Sequence, residues 1–351
     1  MTRTIRTGLV GVTGYAGMEM VRLLAQHPVF QLSCAASRKE SGRRLDEIFP
    51  HLTGLDCGRT TICEPDVAAM AGECELVFLA VPHGTAMEMA AGFLKKGVRV
   101  VDLSADFRLR EVSTYESWYG LTHKYPELVD RAVYGIPELY GTQVADADLV
   151  ANPGCYPTSV LLGLIPALRN GFVETDGIVV DSKSGTSGAG RKAVEATLFC
   201  EVHDTFRAYG LGVHRHTPEI EQELSVAAGK KLTVSFNPHL LPIDRGILST
   251  IYTRLRPGVQ YEAILKAYQD FCRPHPWLRL LSGDAMPQTR WVRGTMFCDM
   301  ALVVDQRVQR LIVVSTIDNL CRGASGQALA NANLMYGLDL TTGLMHPPLI
   351  P

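Results

Sequence analysis

The chain has 351 residues, 46% of them hydrophobic and 20% charged, with a formal charge of −2. That length suits two domains, and the near-neutral charge gives no sign of a nucleic-acid or anionic-membrane partner. No apolar run approaches the ~18 residues of a membrane span, and MTRTIRTGLVGVTG turns glycine-rich where a signal peptide would turn apolar.

Nine cysteines, an odd number without a C-x-x-C pair, argue against a disulfide framework and against a zinc site. They fit a reducing cytoplasm, with most of the thiols acting as small buried hydrophobes.

In chain order, IRTGLVGV reads as a first strand beginning almost at residue 1. YAGMEMVRLLAQH follows with Met18, Val21, Leu24 and Ala25 near helical spacing, and Pro28 ends it. VFQLSCAAS is a second strand, and the stretch from Arg38 to Glu64 is polar and irregular. DVAAMA predicts a short helix, ELVFLAV a buried strand, TAMEMAAGFLKKG a helix and VRVVDLS another strand. Strands alternating with helices imply a parallel, doubly wound sheet over residues 1–151.

Residues 106–151 are loop-rich. Strands recur at GIVVDSK, KLTVSFNPHL, GILSTIYTRL, MFCDMALVVD and RLIVVSTIDN, with a helical run at YEAILKAYQDFC. These later strands are largely consecutive, which predicts a second α+β domain over 152–320 with a mixed or antiparallel sheet. A final helix runs roughly from Ala324 to Tyr336.

The turn between the first strand and the first helix is G-V-T-G-Y-A-G, with glycines at 11, 14 and 17. Glycine there permits a tight turn and close approach of backbone to a pyrophosphate, which the helix N-terminus then faces with its unpaired N–H groups. A dinucleotide site at Gly11, Thr13, Gly14, Tyr15, Ala16 and Gly17 is the expectation. An acidic residue after the second strand would accept hydrogen bonds from the ribose of NAD. The chain has Ser37, Arg38, Lys39 and Ser41 instead, donors that suit a 2′-phosphate, so NADP(H) is the expected cofactor. None of the twelve tyrosines has a lysine four residues later, which sets aside a short-chain dehydrogenase.

NPGCYPTSV places Cys155 on a tight turn, and Val160, Leu161, Leu164, Ile165 and Leu168 recur at helical spacing after Pro157. Cys155 therefore stands at a helix N-terminus, where the partial positive charge favours thiolate. A nucleophilic thiolate wants an acid or base. GVHRHTPEI supplies His214 and His216, of like parity in an extended segment, ahead of a helix that Thr217 can cap and Pro218 can start. No clustered third ligand accompanies them, so no metal is expected. His83 and Pro82 in AVPHGTA belong with a cofactor loop. Arg108 in DLSADFR suits a substrate phosphate or carboxylate. The Ser/Gly loop SKSGTSGAGR, with Ser187 and Gly188, offers backbone donors to a cofactor or anion.

A nicotinamide cofactor beside a cysteine nucleophile implies reduction of an activated acyl group through a thioester, with phosphate or coenzyme A as leaving group. Nearly the whole chain resembles the N-acetyl-γ-glutamyl-phosphate reductase family, relatives of aspartate-semialdehyde dehydrogenase. The resemblance runs through GVTGYAG, AVPHG, DLSADFR, YGIPELY, NPGCYPT, SGTSGAGR, HRHTPEI and DNLCRGASGQALAN. It implies Cys155 as nucleophile, His214 or His216 as acid/base, Arg108 at the substrate phosphate with Asn152 on the substrate side, and Asn319 near the nicotinamide. It also implies a homodimer or homotetramer formed through the second domain. A last helix, about 321–338, would return to the first domain and carry Gln327 and Asn331 there. The implied reaction uses NADPH to convert N-acetyl-γ-glutamyl phosphate to N-acetylglutamate 5-semialdehyde and phosphate. A homologous reductase of carrier-linked 2-aminoadipyl phosphate is the nearest rival. A non-catalytic NADP sensor is a distant one, since it would need neither Cys155 nor the two histidines.

Overall fold

Residues 3–350 are described by a computed structural model. Seven strands form a first, wholly parallel sheet: β1 (Ile5–Val10), β2 (Phe30–Ala36), β3 (Ile62–Cys63), β4 (Leu76–Leu79), β5 (Arg99–Asp102), β6 (Val133–Tyr134) and β7 (Leu149–Ala151). Their order is β3-β2-β1-β4-β5-β7-β6. The helices in this part are α1 (Tyr15–Leu24), α2 (Leu45–Ile48), α3 (Val67–Glu73), α4 (Ala86–Lys95), α5 (Val112–Tyr119), α6 (Pro126–Arg131) and α7 (Pro137–Asp146). The run Leu76–Leu79 is buried at every position, as a central parallel strand covered on both faces must be. The stretch after β2, polar and irregular in sequence, holds α2 and two 3₁₀ turns before β3, an arrangement that sequence does not announce.

The second sheet has β8 (Ile178–Gly185), β9 (Arg207–Ala208), β10 (Val234–Leu241), β11 (Ile247–Arg254), β12 (Leu278–Leu280), β13 (Cys298–Asp305) and β14 (Arg310–Ile317). Its order is β12-β13-β14-β11-β8-β10-β9, mixed because β8 pairs parallel with β10 and β12 with β13 while the other pairs run antiparallel. With it come α8 (Cys155–Arg169), α9 (Phe199–Val202), α10 (Thr217–Ala228) and α11 (Tyr261–Cys272). The last helix is α12 (Gly326–Met335), entered through a π-helical turn, Cys321–Ser325. The sequence places this helix roughly over Ala324–Tyr336, and its α-helical part begins two residues later, at Gly326.

The chain divides into two compact units, one ending at Pro153 and regaining Ala324–Met345, the other running Gly154–Gly323 with the residues after Met345. In the first unit α12 lies against α7 and α1. Gln327 Nε2 and Asn331 Nδ2 both donate to the Gly135 carbonyl, at 2.8 and 2.9 Å.

In the second unit α8 is buried from Tyr156 to Leu168 and lies on β11 and β14, flanked by α10 and α11. Beneath it runs a dry row of hydroxyls. Ser159 Oγ donates to Ser249 Oγ at 3.0 Å, Ser249 meets Ser182 at 2.7 Å, and Ser315 is 3.3 Å from Ser159. Each of these serines is at most 0% exposed, so the hydroxyls satisfy one another rather than water. The row fixes the first two turns of α8 on the sheet, and so fixes where the helix begins. Gly163 allows the close approach: a β-carbon there would stand 3.2 Å from both Ile251 Cδ1 and Ser315 Cβ.

Of the nine cysteines, Cys74, Cys272, Cys298 and Cys321 are buried, Cys34, Cys57, Cys63 and Cys155 are half-buried, and Cys200 is exposed. Fewer than half are therefore fully buried hydrophobes, against the expectation for most of them.

Candidate active site

Cys155 is the first residue of α8 and Gly154 its N-cap, extended at φ −68°, ψ 154°, with no side chain capping the helix. The sulfur therefore sits where unpaired backbone N–H groups favour an anion. Glycines make the room around it. A β-carbon on Gly154 would lie 2.6 Å from His216 Nε2, and one on Gly323 would lie 2.7 Å from the Cys155 β-carbon. The His216 ring thus packs directly on the turn that presents Cys155. Glu219, 1% exposed in the first turn of α10, accepts the Gly154 N–H at 2.8 Å and holds that turn.

The two histidines do not occupy an extended segment. His216 has αR backbone and is itself the N-cap of α10; Thr217 is the first helical residue and makes no cap. The turn closes through Thr217 N–H to the His214 carbonyl at 2.9 Å. The rings stand 5.0 Å apart, edge to face. His214 is boxed edge-on by Tyr156, Tyr209 and Phe236. Burial there, then the Arg215 guanidinium, pushes its pKa down to about 4. Its Nδ1 accepts the His216 N–H at 3.1 Å, so the neutral ring carries its proton on Nε2.

A cavity of about 370 Å³ opens over Cys155, lined among others by Tyr156, Ser184, Tyr209, His214 and His216. Its cations are Arg207, whose guanidinium donates to the Ala196 carbonyl, and Arg215. Ser187, Gly188 and Asn319 come together in the same unit. Asn319 Nδ2 donates to Ser187 Oγ at 2.9 Å and its Oδ1 accepts the Gly246 N–H at 2.7 Å. Among the described residues no group of three or more His, Cys, Asp or Glu could hold a metal ion.

In the first unit the glycine turn has the shape a pyrophosphate needs. Gly11 has φ +88°, and a β-carbon on it would meet the Ala80 carbonyl oxygen at 2.1 Å; one on Gly17 would meet the Gly11 oxygen at 2.3 Å. The first turn of α1 has no acidic residue and no side-chain cap, leaving its N–H groups for an anion. Tyr15 is exposed beside it and Ser325 Oγ donates to the Ala16 carbonyl at 2.7 Å. Thr13 lies half-buried in the turn. At the end of β2 Ser37 is buried while Arg38, Lys39 and Ser41 are exposed. Arg43 and Arg44 nearby are paired to Glu40 and Asp46, whereas Arg38 and Lys39 form no ion pair among the described residues. These residues fit a 2′-phosphorylated dinucleotide.

DLSADFR builds the neighbouring wall. Asp106 accepts the Gly84 and Ala86 N–H groups at 2.7 and 3.1 Å, serving the start of α4, and His83 Nδ1 accepts the Ala105 N–H at 3.0 Å. Pro82, exposed, closes the turn by accepting the Thr85 N–H at 3.1 Å. Burial, then the Asp106 carboxylate, pushes Asp102 up to about 7. Arg108 is 6% exposed, its Nε donating to the Asn152 carbonyl at 2.7 Å and Nη2 to the Leu103 carbonyl at 2.8 Å. Asn152 is 1% exposed and bonds the Ala324 carbonyl and Asn331.

Glu219, Gly323 and the serine row escaped the sequence reading. Glu219 had a signal, a carboxylate in the first turn of a helix starting Thr-Pro, but its partner lies 65 residues away.

Two family models cover most of the chain: "Semialdehyde dehydrogenase, NAD binding domain" at residues 6–147 and "Semialdehyde dehydrogenase, dimerisation domain" at 155–319. The N-acetyl-gamma-glutamyl-phosphate reductase of Citrifermentans bemidjiense is 49% identical over 348 residues, covering 99% of this chain and 100% of that one. The protein of the same name from Desulforudis audaxviator is 48% identical over 350 residues, with the same coverage. Among solved structures, aspartate semialdehyde dehydrogenase II from Vibrio cholerae matches at TM-score 0.72 and 16% identity, over 95% of this chain and 99% of that one. Aspartate semialdehyde dehydrogenase with NADP from Candida albicans matches at TM-score 0.68 and 17% identity, over 95% and 99%. At those identities the structural matches speak for the fold.

Proposed function

The chain belongs to the N-acetyl-gamma-glutamyl-phosphate reductase family, and from that premise we propose that it reduces N-acetyl-γ-glutamyl phosphate with NADPH, giving N-acetylglutamate 5-semialdehyde and phosphate. The observation that carries the reading is the Cys155 turn, with His216 packed on Gly154 at the amino end of α8.

Cys155 Sγ attacks the γ-acyl carbon, the carbon–oxygen bond to phosphate breaks, and a thioester forms on the chain. NADPH, when bound, supplies the hydride that reduces this thioester. His216 takes the thiol proton in the first half and gives a proton back as the thiohemiacetal collapses to aldehyde and thiol. His214 is held neutral and uses Nδ1 to fix the His216 backbone, so the acid/base role goes to His216. Gly11, Thr13, Gly14, Tyr15, Ala16 and Gly17 would hold the pyrophosphate, with Pro82 in the adjoining turn. Ser37, Arg38 and Ser41 would hold the 2′-phosphate. Ser187, Gly188 and Asn319 are assigned to the cofactor's nicotinamide side.

Arg108 and Asn152 enter as substrate ligands on the family resemblance. Their hydrogen bonds to backbone support a second contribution, bracing the chain just before Gly154, and R108K separates the two. A raised KM for phosphate alone marks a ligand; a lost kcat with unchanged KM marks a brace. Self-association as a homodimer or homotetramer belongs to the proposal, supported by the dimerisation-domain match, and sedimentation equilibrium measures it. So does a cytoplasmic setting, supported by nine cysteines of which none stands in a disulfide among the described residues.

The test is the reverse reaction. Purified protein receives N-acetylglutamate semialdehyde, phosphate and NADP, and NADPH absorbance is followed. Phosphate-dependent NADPH formation is expected from the parent chain and none from C155A. Equal rates without phosphate, or full activity in C155A, would overturn the mechanism. A preference for aspartate semialdehyde would overturn the substrate.

A further inference from the structure

Three of the cysteines gather on one face of the first sheet, away from the glycine turn. The β1–β2 register pairs Gly8 with Cys34, and the β2–β3 register pairs Ala36 with Cys63, two residues further along the same face. Cys74, the residue after α3, turns its sulfur into the space left by the missing side chain of Gly8. A β-carbon on Gly8 would stand 2.8 Å from Cys74 Sγ. Paired residues on adjacent strands have side chains about 5 Å apart on a common face. The vacancy at Gly8 therefore brings the Cys74 sulfur beside Cys34, and Cys34 and Cys63 both pack against the buried cluster that holds Cys74. Val77 and Met70 close the slot from the other sides.

The chemistry of the three thiols is unequal. The neighbouring Cys74 thiol draws Cys34 down to about 7, while the same proximity and burial push Cys74 up, so Cys34 is the more readily ionised of the two. Arg6 adds a smaller stabilisation of the Cys34 anion. Cys34 is half-buried and within reach of a small oxidant, whereas Cys74 is 3% exposed and reached through Cys34. A nucleophilic, accessible thiolate beside a protonated, sheltered thiol is the arrangement of an attacking and a resolving cysteine.

We propose that Cys34 and Cys74 form a peroxide-driven, reversible disulfide that ties the α3–β4 turn to β2. The Cys34 thiolate attacks one oxygen of a hydroperoxide, the O–O bond breaks, and hydroxide or alkoxide leaves with Cys34 as sulfenic acid. Cys74 then attacks that sulfur, the S–O bond breaks and water leaves, so two thiols are oxidised for one peroxide reduced. A dithiol such as dithiothreitol returns both thiols. The bridge is independent of the reductase reading, because its readout is the thiols themselves.

The full chain is exposed to hydrogen peroxide, alkylated, digested and mapped by mass spectrometry. The expected result is a Cys34–Cys74 linked peptide, absent after dithiothreitol, with both residues protected from alkylation. C63S should keep the link. C34S should lose it and leave Cys74 alkylatable on unfolding. Oxidation of Cys155 and the exposed Cys200 is read from separate peptides. A native, peroxide-treated chain in which Cys34 pairs with Cys63, or advances to sulfinic acid with Cys74 still a thiol, would overturn the proposal.

Discussion

Replacing Gly154 by alanine tests the geometry of the site without touching a reacting group. The backbone there, φ −68° and ψ 154°, is one alanine adopts freely, so the substitution adds a methyl and little else. That methyl would stand 2.6 Å from His216 Nε2 and 2.9 Å from Cδ2 and Cε1. Non-bonded carbon contacts settle near 3.5 Å, so the ring must retreat by about 1 Å. A misplacement of that size costs about 100-fold in rate, near 3 kcal/mol of transition-state stabilisation. Overpacking adds about 1–3 kcal/mol of lost stability. The assay is phosphate-dependent NADPH formation at saturating substrates, beside an NADPH titration by fluorescence and a far-UV spectrum. The expected variant binds NADPH as the parent does, keeps its fold, and loses about two orders of magnitude in kcat. A folded G154A with parental kcat would refute the claim that His216 acts from its position on this turn.

Three further substitutions probe the surroundings. R38A should raise the KM for NADPH by roughly 10-fold or more, the worth of a charge-assisted hydrogen bond, and leave that for NADH unchanged; equal changes for both cofactors would remove Arg38 from the 2′-phosphate. His214, at about 4 in the folded chain against 6.5 for a free imidazole, binds a proton more readily when unfolded. Its share of stability is whole above pH 6.5 and is lost as pH falls from 6.5 through 4. Urea unfolding of H214N, which keeps an acceptor for the His216 N–H, should lose less stability across that window than the parent; parallel curves would contradict it. E219A leaves the Gly154 N–H without its acceptor and should lose about 1–3 kcal/mol on urea unfolding, with a falling kcat. Parental stability and rate would show that the Glu219 contact holds nothing.

What could be read from the sequence was what depends on near neighbours. The alternation of apolar strands and helices foretold the doubly wound parallel sheet, and consecutive late strands foretold the mixed one. The start of α8 at Cys155 followed from Asn-Pro-Gly before it and apolar spacing after it, signals all within about four turns. The turn at His214–His216 misled the reading because parity arguments assume an extended chain. Thr217 and Pro218 could equally make the first turn, which moved the cap to His216. Contacts made far along the chain left no local mark. Glu219 reaches Gly154 across 65 residues, and Ser159 reaches Ser249 across 90 and Ser315 across 156. Serines at alternate strand positions look solvent-facing until α8 covers them. Gly323 looks like a helix breaker, yet its lack of a β-carbon is what lets the chain pass against Cys155. The residues that carry a site's chemistry can thus be legible by type and local pattern, while those that hold it in register are ordinary residues whose function exists only once the chain has folded.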